Sequence, residues 1–378
     1  MTLGQFYTPE LAGGWLVQGI GTDAPAHICD LGAGEGELLL AAQRRWGQAR
    51  LLAADIDPAN VFFTRQRLRK VECRQVDVLR HDLPRLLGIE EGTIDVALGN
   101  PPYGALDVQA RHLAILRDAG LDDAVPFRRI TRDIIFLAQN LRLLKSGGEL
   151  AIILPEGLAV NRTFEELRIA LMELHGLHSV IELPSDLFQG TEARTVAMFL
   201  KKGGRTEKVR LESTSGESIL VHSSDARKRL DARFHLRGQA KGRTLGDLNP
   251  TIHRGALTHA QAIEVAATIF HTTTFKTFPN GRARLSKAFD APERWVARSG
   301  DILVPRVGSR CLSPVAFVER GMAIFTDCVY RIRVSPSERD HVCRALRSVG
   351  GVTYRLTAAH GTCAAVLSKA DLLGLPLG

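Results

Sequence analysis

No run of about 18 apolar residues occurs in this 378-residue chain, so the sequence offers no segment long enough to cross a bilayer as a helix. It does not open with a charged start followed by a short apolar stretch, and no secretory leader is expected. Cysteine is sparse and scattered. Cys29, Cys73, Cys311, Cys328, Cys343 and Cys363 form no C-x-x-C pair, which provides neither a zinc pattern nor a disulfide framework. Twelve histidines make no H-E-x-x-H or similar cluster. What is left is an expected soluble, cytoplasmic protein with reduced, mostly structural thiols and no metal site. Its length allows two domains, each with a substantial core.

Polar groups recur at a near-constant interval along the first hundred residues. The apolar stretch Ala26-His27-Ile28-Cys29 leads into Asp30-Leu31-Gly32-Ala33-Gly34-Glu35-Gly36, where glycines permit a tight strand-to-helix turn. Leu38 to Ala42 then reads as the start of a helix. A second strand, Leu51-Leu52-Ala53-Ala54, ends at Asp55, 25 residues after Asp30. Asp77 follows 22 residues later and Asn100 another 23. Four strand ends at this spacing describe successive βα units with one ligand lying across their tips. Asp55 suits a pair of ribose hydroxyls and Asp77 an adenine amino group, while Asp30 stands beside the glycine turn. Taken singly, Asp30 and Asp77 serve equally well as helix caps or turn formers.

The fourth strand end is Asn100-Pro101-Pro102-Tyr103, after the buried-strand pattern Ile94 to Gly99. Proline fixes φ and lacks an N–H, so the carbonyls of Asn100 and Pro101 can face outward, free of any ladder. Asn100 adds a side-chain carbonyl and Tyr103 a flat ring. Two acceptors and a stacking surface suit an exocyclic amino group on a planar base; a purely structural turn can also read Asn-Pro-Pro.

On these residues the chain resembles the S-adenosylmethionine-dependent amino-methyltransferases of DNA. The family's glycine motif matches Asp30, Gly32, Ala33 and Gly34 through Gly36. Its ribose-binding acid matches Asp55, followed by Ile56, and its adenine-binding acid matches Asp77, followed by Val78. Its catalytic motif matches Asn100, Pro101, Pro102 and Tyr103. Gly4 to Glu10, with Tyr7, Thr8 and Pro9, resembles the family's first motif, which packs over the methionine end of the cofactor. The motif order resembles the gamma subgroup, and the match spans about residues 4 to 202. The resemblance implies an α/β fold, a Rossmann-like class I methyltransferase with a seven-stranded mixed sheet. It also implies S-adenosyl-L-methionine as cofactor and double-stranded DNA as partner. Family members often place an aromatic residue against the second face of the base, before the last sheet strand. Arg194 stands there, and Phe188 is the nearest upstream aromatic; either could stack, and Phe188 could equally be core.

Charge divides unevenly. Residues 1–204 carry 22 Lys and Arg against 26 Asp and Glu, and residues 205–378 carry 27 against 15, so −4 and +12 make the net +8. A polyanion-binding second half is expected. The Lys201 to Arg205 stretch is read as the boundary, giving a catalytic domain over 1–204 and a smaller α+β domain over 205–378, with 205–243 as junction. Arg227, Lys228, Arg229, Arg233 and Arg237 in that junction are the densest basic run and are expected to track a phosphate backbone. Leu245 to Leu248, Gly300 to Val304 and Leu367 to Leu377 resemble the target-recognition domains of type I specificity subunits.

The expected activity is therefore site-specific adenine-N6 methylation of DNA, in a restriction-modification or related defence system with a cognate nuclease or other defence subunit. Asn-Pro-Pro-Tyr also serves enzymes that methylate a protein glutamine or guanine N2 in RNA. An N4-cytosine enzyme more usually carries Ser in place of Asn100. A non-enzymatic DNA-binding module is disfavoured because the glycine turn is intact.

Overall fold

Val96, Ala97 and Leu98 are wholly buried, because the strand they form lies inside a sheet covered on both faces. The computed structural model describes residues 9–68, 70–184, 187–188, 194–236, 242–265, 268–286, 291–308, 312–359 and 365–378. The chain divides into two units, Met1–Leu236 and Arg237–Gly378.

The strands of the first unit are β1 (His27–Leu31), β2 (Arg50–Asp55), β3 (Val71–Gln75), β4 (Ile94–Gly99), β5 (Leu144–Pro155), β6 (Ser179–Glu182), β7 (Thr195–Lys201), β8 (Lys208–Glu212) and β9 (Ser218–His222). Their order in the sheet is β3-β2-β1-β4-β5-β7-β6-β8-β9. The first five run parallel, while β7 is antiparallel to both β5 and β6. Its helices are α1 (Glu10–Gln18), α2 (Glu37–Arg45), α3 (Pro58–Arg67), α4 (Leu83–Leu87), α5 (Ala110–Asp118), α6 (Arg132–Leu143), α7 (Glu156–Val160), α8 (Glu165–Glu173), α9 (Ser223–Ala226) and α10 (Ala232–Leu236). The period-two alternation of strands sorts side chains onto two cores. Leu150, Ile152 and Leu154 of β5 join the α6 side with Leu137 and Leu141. Ala151 and Ile153 point the other way, to Leu16 of α1 and Leu39 of α2.

The seven expected strands are present, and the sheet continues past them. β8 pairs in parallel with β6, matching Val180 to Leu211, and β9 closes a hairpin on β8. Val209 and Leu211 are buried there. The boundary expected at 204/205 therefore falls inside the first unit. Lys201 to Gly204 forms a turn, with Gly203 at φ +76°, that feeds the chain back to the open edge of β6. Pairing that edge satisfies backbone groups that would otherwise stand bare.

The second unit holds a five-stranded sheet of β10 (Thr251–Arg254), β17 (Val329–Arg333), β14 (Ile302–Pro305), β15 (Ala316–Arg320) and β12 (Arg282–Arg284), in that order. A three-stranded sheet joins β11 (Ile269–Phe270), β16 (Met322–Phe325) and β13 (Val296–Arg298). Helices α11 (His259–Val265), α12 (Arg339–Arg347), α13 (Val349–Ala358) and α14 (Lys369–Leu373) complete it. The unit's two ends meet: the Leu245 N–H donates to the Leu375 carbonyl and the Leu377 N–H to that of Arg243, at 2.8 and 2.9 Å. Among the described residues no helix is long and apolar enough to cross a membrane.

Candidate active site

The glycine turn after β1 is built by close approach. Gly32 has φ +78°, and a Cβ there would stand 3.0 Å from the Phe136 ring of α6, so glycine meets both a steric and a conformational demand. The N–H groups of Gly32 and Ala33 donate to the Ala54 carbonyl of β2 at 2.7 and 3.0 Å. The Gly34 N–H donates to Asp55 Oδ2 at 2.8 Å, and the Asp57 N–H to Asp55 Oδ1 at 2.9 Å. Asp55 thus shapes the turn, and each oxygen keeps a lone pair for a ligand hydroxyl.

These residues line a cavity of about 210 Å³, shared by Gly32, Ala33, Gly34, Asp55, Ile56, Asp77, Val78, Asn100 and Pro102. Nine of the residues expected from sequence to bind cofactor or substrate are brought together around this cavity. Asp30 lies beneath them, 1% exposed, with Oδ1 lacking any hydrogen-bond partner among the described residues. Burial, with the Asp55 charge added, pushes its carboxyl up to about 8. Such a carboxylate is suited to an ammonium group. The buried Nδ2 of Asn60 on α3 is likewise without a partner beside this cavity. An orphan acceptor and an orphan donor fit the amino-acid and nucleoside parts of S-adenosylmethionine.

The Asn100 to Tyr103 turn leaves β4 at the same edge. Its far side is tied to α6 by a bridge between Ala105 and Thr131 and by the Arg132 N–H donating to Gly104 O at 3.1 Å. The Tyr103 hydroxyl donates to Asn100 Oδ1 at 3.0 Å. Among the described residues the Pro101 carbonyl accepts no hydrogen bond. Burial raises the Tyr103 phenol, with the Asp133 charge adding to it, so the hydroxyl stays a donor. Asp133 itself is pushed up to about 6 by burial, against the opposing hydrogen bond from the Gly104 N–H.

Several sequence expectations are redistributed. Phe188 is 4% exposed and belongs to the core that includes Leu183 and Phe199, so it is packing and not a free stacking ring. Arg194 is half-buried, and its carbonyl accepts from the Glu156 N–H at 2.9 Å. Pro9 caps α1 and does not line the cavity. Arg229 is buried and bidentate on Asp231, at 2.7 and 2.8 Å, and Arg233 is ion-paired with buried Glu182. Neither is presented to a phosphate, because a buried carboxylate already claims each one. Arg227 and Lys228 keep exposed side chains, paired with Glu165 and Asp225. Their carbonyls accept from the fully buried Arg168, at 2.7 and 2.8 Å. Tyr7, Thr8 and Arg237 lie outside the described residues.

Sequence reading passed over Asn60, Arg132, Phe136 and Asp133. Phe136 and Arg132 sit four apart on α6 and face the cavity together, so helical spacing after the Asn-Pro-Pro-Tyr turn was the available signal. Nothing local to Asn60 marked it.

A parallel sheet with an antiparallel closing strand, a glycine turn after β1, acids after β2 and β3 and Asn-Pro-Pro-Tyr after β4 together define a class I methyltransferase. The chain belongs to the N-6 DNA methylase family, whose model matches residues 1–233. It is 25% identical over 228 residues to the EcoEI type I restriction enzyme methylase subunit of Escherichia coli, covering 54% of this chain and 44% of that one. It is 28% identical over 272 residues to the type II methyltransferase M.XamI of Xanthomonas campestris pv. amaranthicola, covering 64% and 49%. A release factor glutamine methyltransferase of Corynebacterium glutamicum is 28% identical over 189 residues, covering 47% and 62%. The chain spans about half the length of the two restriction-system relatives. In fold it is similar to the type IIG restriction endonuclease BpuSI, with a TM-score of 0.54 and 12% identity over 98% of this chain and 58% of that one.

Proposed function

We propose that this protein methylates N6 of adenine in double-stranded DNA, using S-adenosyl-L-methionine, as the modification enzyme of a restriction-modification or related defence system. The observation that carries the reading is the Asn100 turn opening on the same cavity as Asp55, Asp77 and the glycine turn. When bound, the cofactor supplies a methyl group activated by a sulfonium. Asp30 would take its ammonium, Asp55 its ribose hydroxyls and Asp77 its adenine amino group, with Ile56 and Phe136 offering apolar walls. A target adenine must leave the duplex stack to reach this edge. Its amino hydrogens would then be accepted by Asn100 Oδ1 and the Pro101 carbonyl. These bonds draw N6 from its conjugated planar state toward a tetrahedral nucleophile, while the Tyr103 ring stacks on the base and Arg194 is left to cover its other face. Catalysis is positioning plus hydrogen bonding at the nucleophile.

The second unit is the proposed recognition domain. With the boundary at 236/237 it carries 20 Lys and Arg against 10 Asp and Glu, a net of +10. Part of that charge is internal: buried Arg355 donates to the carbonyls of Ser313 and Leu346, each at 2.8 Å, and Arg331 is buried as well. The restriction-system names among its relatives support a cognate nuclease or other defence subunit as partner, and a place of action in the prokaryotic cytosol. The test is methyl transfer from labelled cofactor into DNA, followed by nucleoside analysis. Label in N6-methyladenine is expected; label only in N4-methylcytosine, RNA or protein overturns the reading.

A further inference from the structure

Two buried polar groups at this sheet edge, which the mechanism above does not use, have no partner among the described residues. Glu156 starts α7 directly after β5 and is 5% exposed, with Oε2 unbonded among the described residues. Thr195 opens β7 and is 2% exposed, with Oγ1 unbonded. Pro155 and Thr195 are cross-strand partners, and the Glu156 N–H donates to the carbonyl of the residue before Thr195, so the two orphans are neighbours. β5 is also the parallel neighbour of β4, with Gly99 in register with Ile152. Asn100 and Glu156 therefore leave adjacent strands at one edge, with Glu156 three residues beyond Ile153, the position level with Asn100.

The charged groups facing Glu156 are Arg194, Asp231, Arg233 and Glu182. Arg233 is engaged by Glu182, and Asp231 by Arg229, so neither pair closes on it. Burial dominates and holds the Glu156 carboxyl above its ordinary range, with the two arginines opposing and the two acids reinforcing. A buried carboxyl without a partner is costly unless a ligand completes it.

We infer that Glu156, with Thr195 beside it, receives the ring-nitrogen edge of the target base: its carboxyl O–H donates to an acceptor nitrogen flanking the amino group that Asn100 and Pro101 hold. This rests on the proposed base methylation and sharpens it, because a protein glutamine amide has no ring nitrogen to offer. The contact makes the site selective for a nucleobase and fixes the in-plane angle of the amino group.

The experiment compares wild type, Glu156→Gln and Glu156→Ala for methyl transfer into DNA across pH, with cofactor affinity measured by calorimetry. A protonated glutamate donates only below its raised pKa, so wild-type turnover should fall as pH rises through it. Glutamine donates at every pH, so Glu156→Gln should keep turnover and lose that fall. Glu156→Ala should lose about ten- to a hundredfold in turnover, the effect of one buried hydrogen bond, with cofactor affinity unchanged. Wild-type turnover in the alanine variant overturns the inference, as does an unaltered fall with rising pH in the glutamine variant. Joint loss of cofactor binding in both variants assigns Glu156 a structural role and also overturns it. A wild-type protein that labels no nucleobase has a different signature, and removes the functional reading together with this one.

Discussion

In the proposed reaction Asn100 acts through one carbonyl oxygen, to which the Tyr103 hydroxyl already donates at 3.0 Å. The hydroxyl holds the amide of a residue that lines the cavity. Asn100→Ala should lower turnover by about a hundredfold or more while cofactor and DNA affinities hold, since the bond strengthens only as the amine becomes tetrahedral. Tyr103→Phe should cost about fivefold, one net hydrogen bond of about 1 kcal/mol, and Tyr103→Ala far more, read from steady-state methyl transfer. Equal loss in the two Tyr103 variants would remove the stacking role. Asp30 gives a pH dependence of known sign. Its carboxyl is raised to about 8 in the folded chain, so between its ordinary range and that value the unfolded state ionises first and the empty protein loses stability as pH rises. An ammonium beside it favours the charged form, so S-adenosylmethionine should bind more tightly as pH rises from about 6 toward 8, with proton release. Calorimetry in buffers of different ionisation enthalpy would detect that release. Asp30→Asn should abolish it; an unchanged release would place the ammonium elsewhere.

Among the elements, the segment between β9 and the end of α10 shows how a basic run becomes internal structure. Arg168 of α8 is fully buried and donates to the carbonyls of Leu158, Asn161, Arg227 and Lys228 at 2.7 to 3.0 Å. The Leu230 N–H donates to the Ala159 carbonyl at 3.0 Å, so the segment is laid across α7. Arg168→Ala leaves those carbonyls unpaired and should cost about 2–4 kcal/mol, measured by denaturant unfolding. Arg229→Ala strands buried Asp231 and should cost about 3 kcal/mol. A selective loss of DNA binding in that variant, with full stability, would restore Arg229 as a phosphate contact. By the same logic a chain cut after residue 204 loses the hairpin that pairs β6. Residues 1–204 should be insoluble or unstable where 1–236 folds and binds cofactor, as thermal melts would show.

At the scale of the whole molecule, charge sorts by unit: −2 over residues 1–236, from 29 Lys and Arg against 31 Asp and Glu, and +10 over 237–378. The exposed arginines of the second unit are not all free. Arg282 and Arg284 share Glu319, and Arg254 pairs with Asp327. The affinity of the full chain for duplex DNA should nonetheless fall steeply between about 50 and 200 mM salt, because phosphate contacts release counterions. Its slope should be smaller than ten phosphates would give. Binding that ignores salt in a filter or anisotropy assay would count against a phosphate-contacting second unit.

The sequence alone determined where the candidate site lies. Strand ends follow from local apolar runs and turn residues, and the intervals between Asp30, Asp55, Asp77 and Asn100 already arranged them along one sheet edge, where the cavity holds the last three above buried Asp30. Prolines, glycines and period-two burial act within a few residues, so a linear reading reaches them. The fate of the charges and of Phe188 was not accessible in that way. Arg233 meets Glu182 51 positions away, and the pairing of β8 with β6 took residues 208–212 out of the expected second domain. Whether a side chain is core, ion pair or free surface depends on which remote group arrives beside it, and only the folded chain brings those groups together. Glu156, Thr195 and Asn60, each with a polar atom unpartnered among the described residues, belong to that second kind, since a missing partner is a property of the packed neighbourhood.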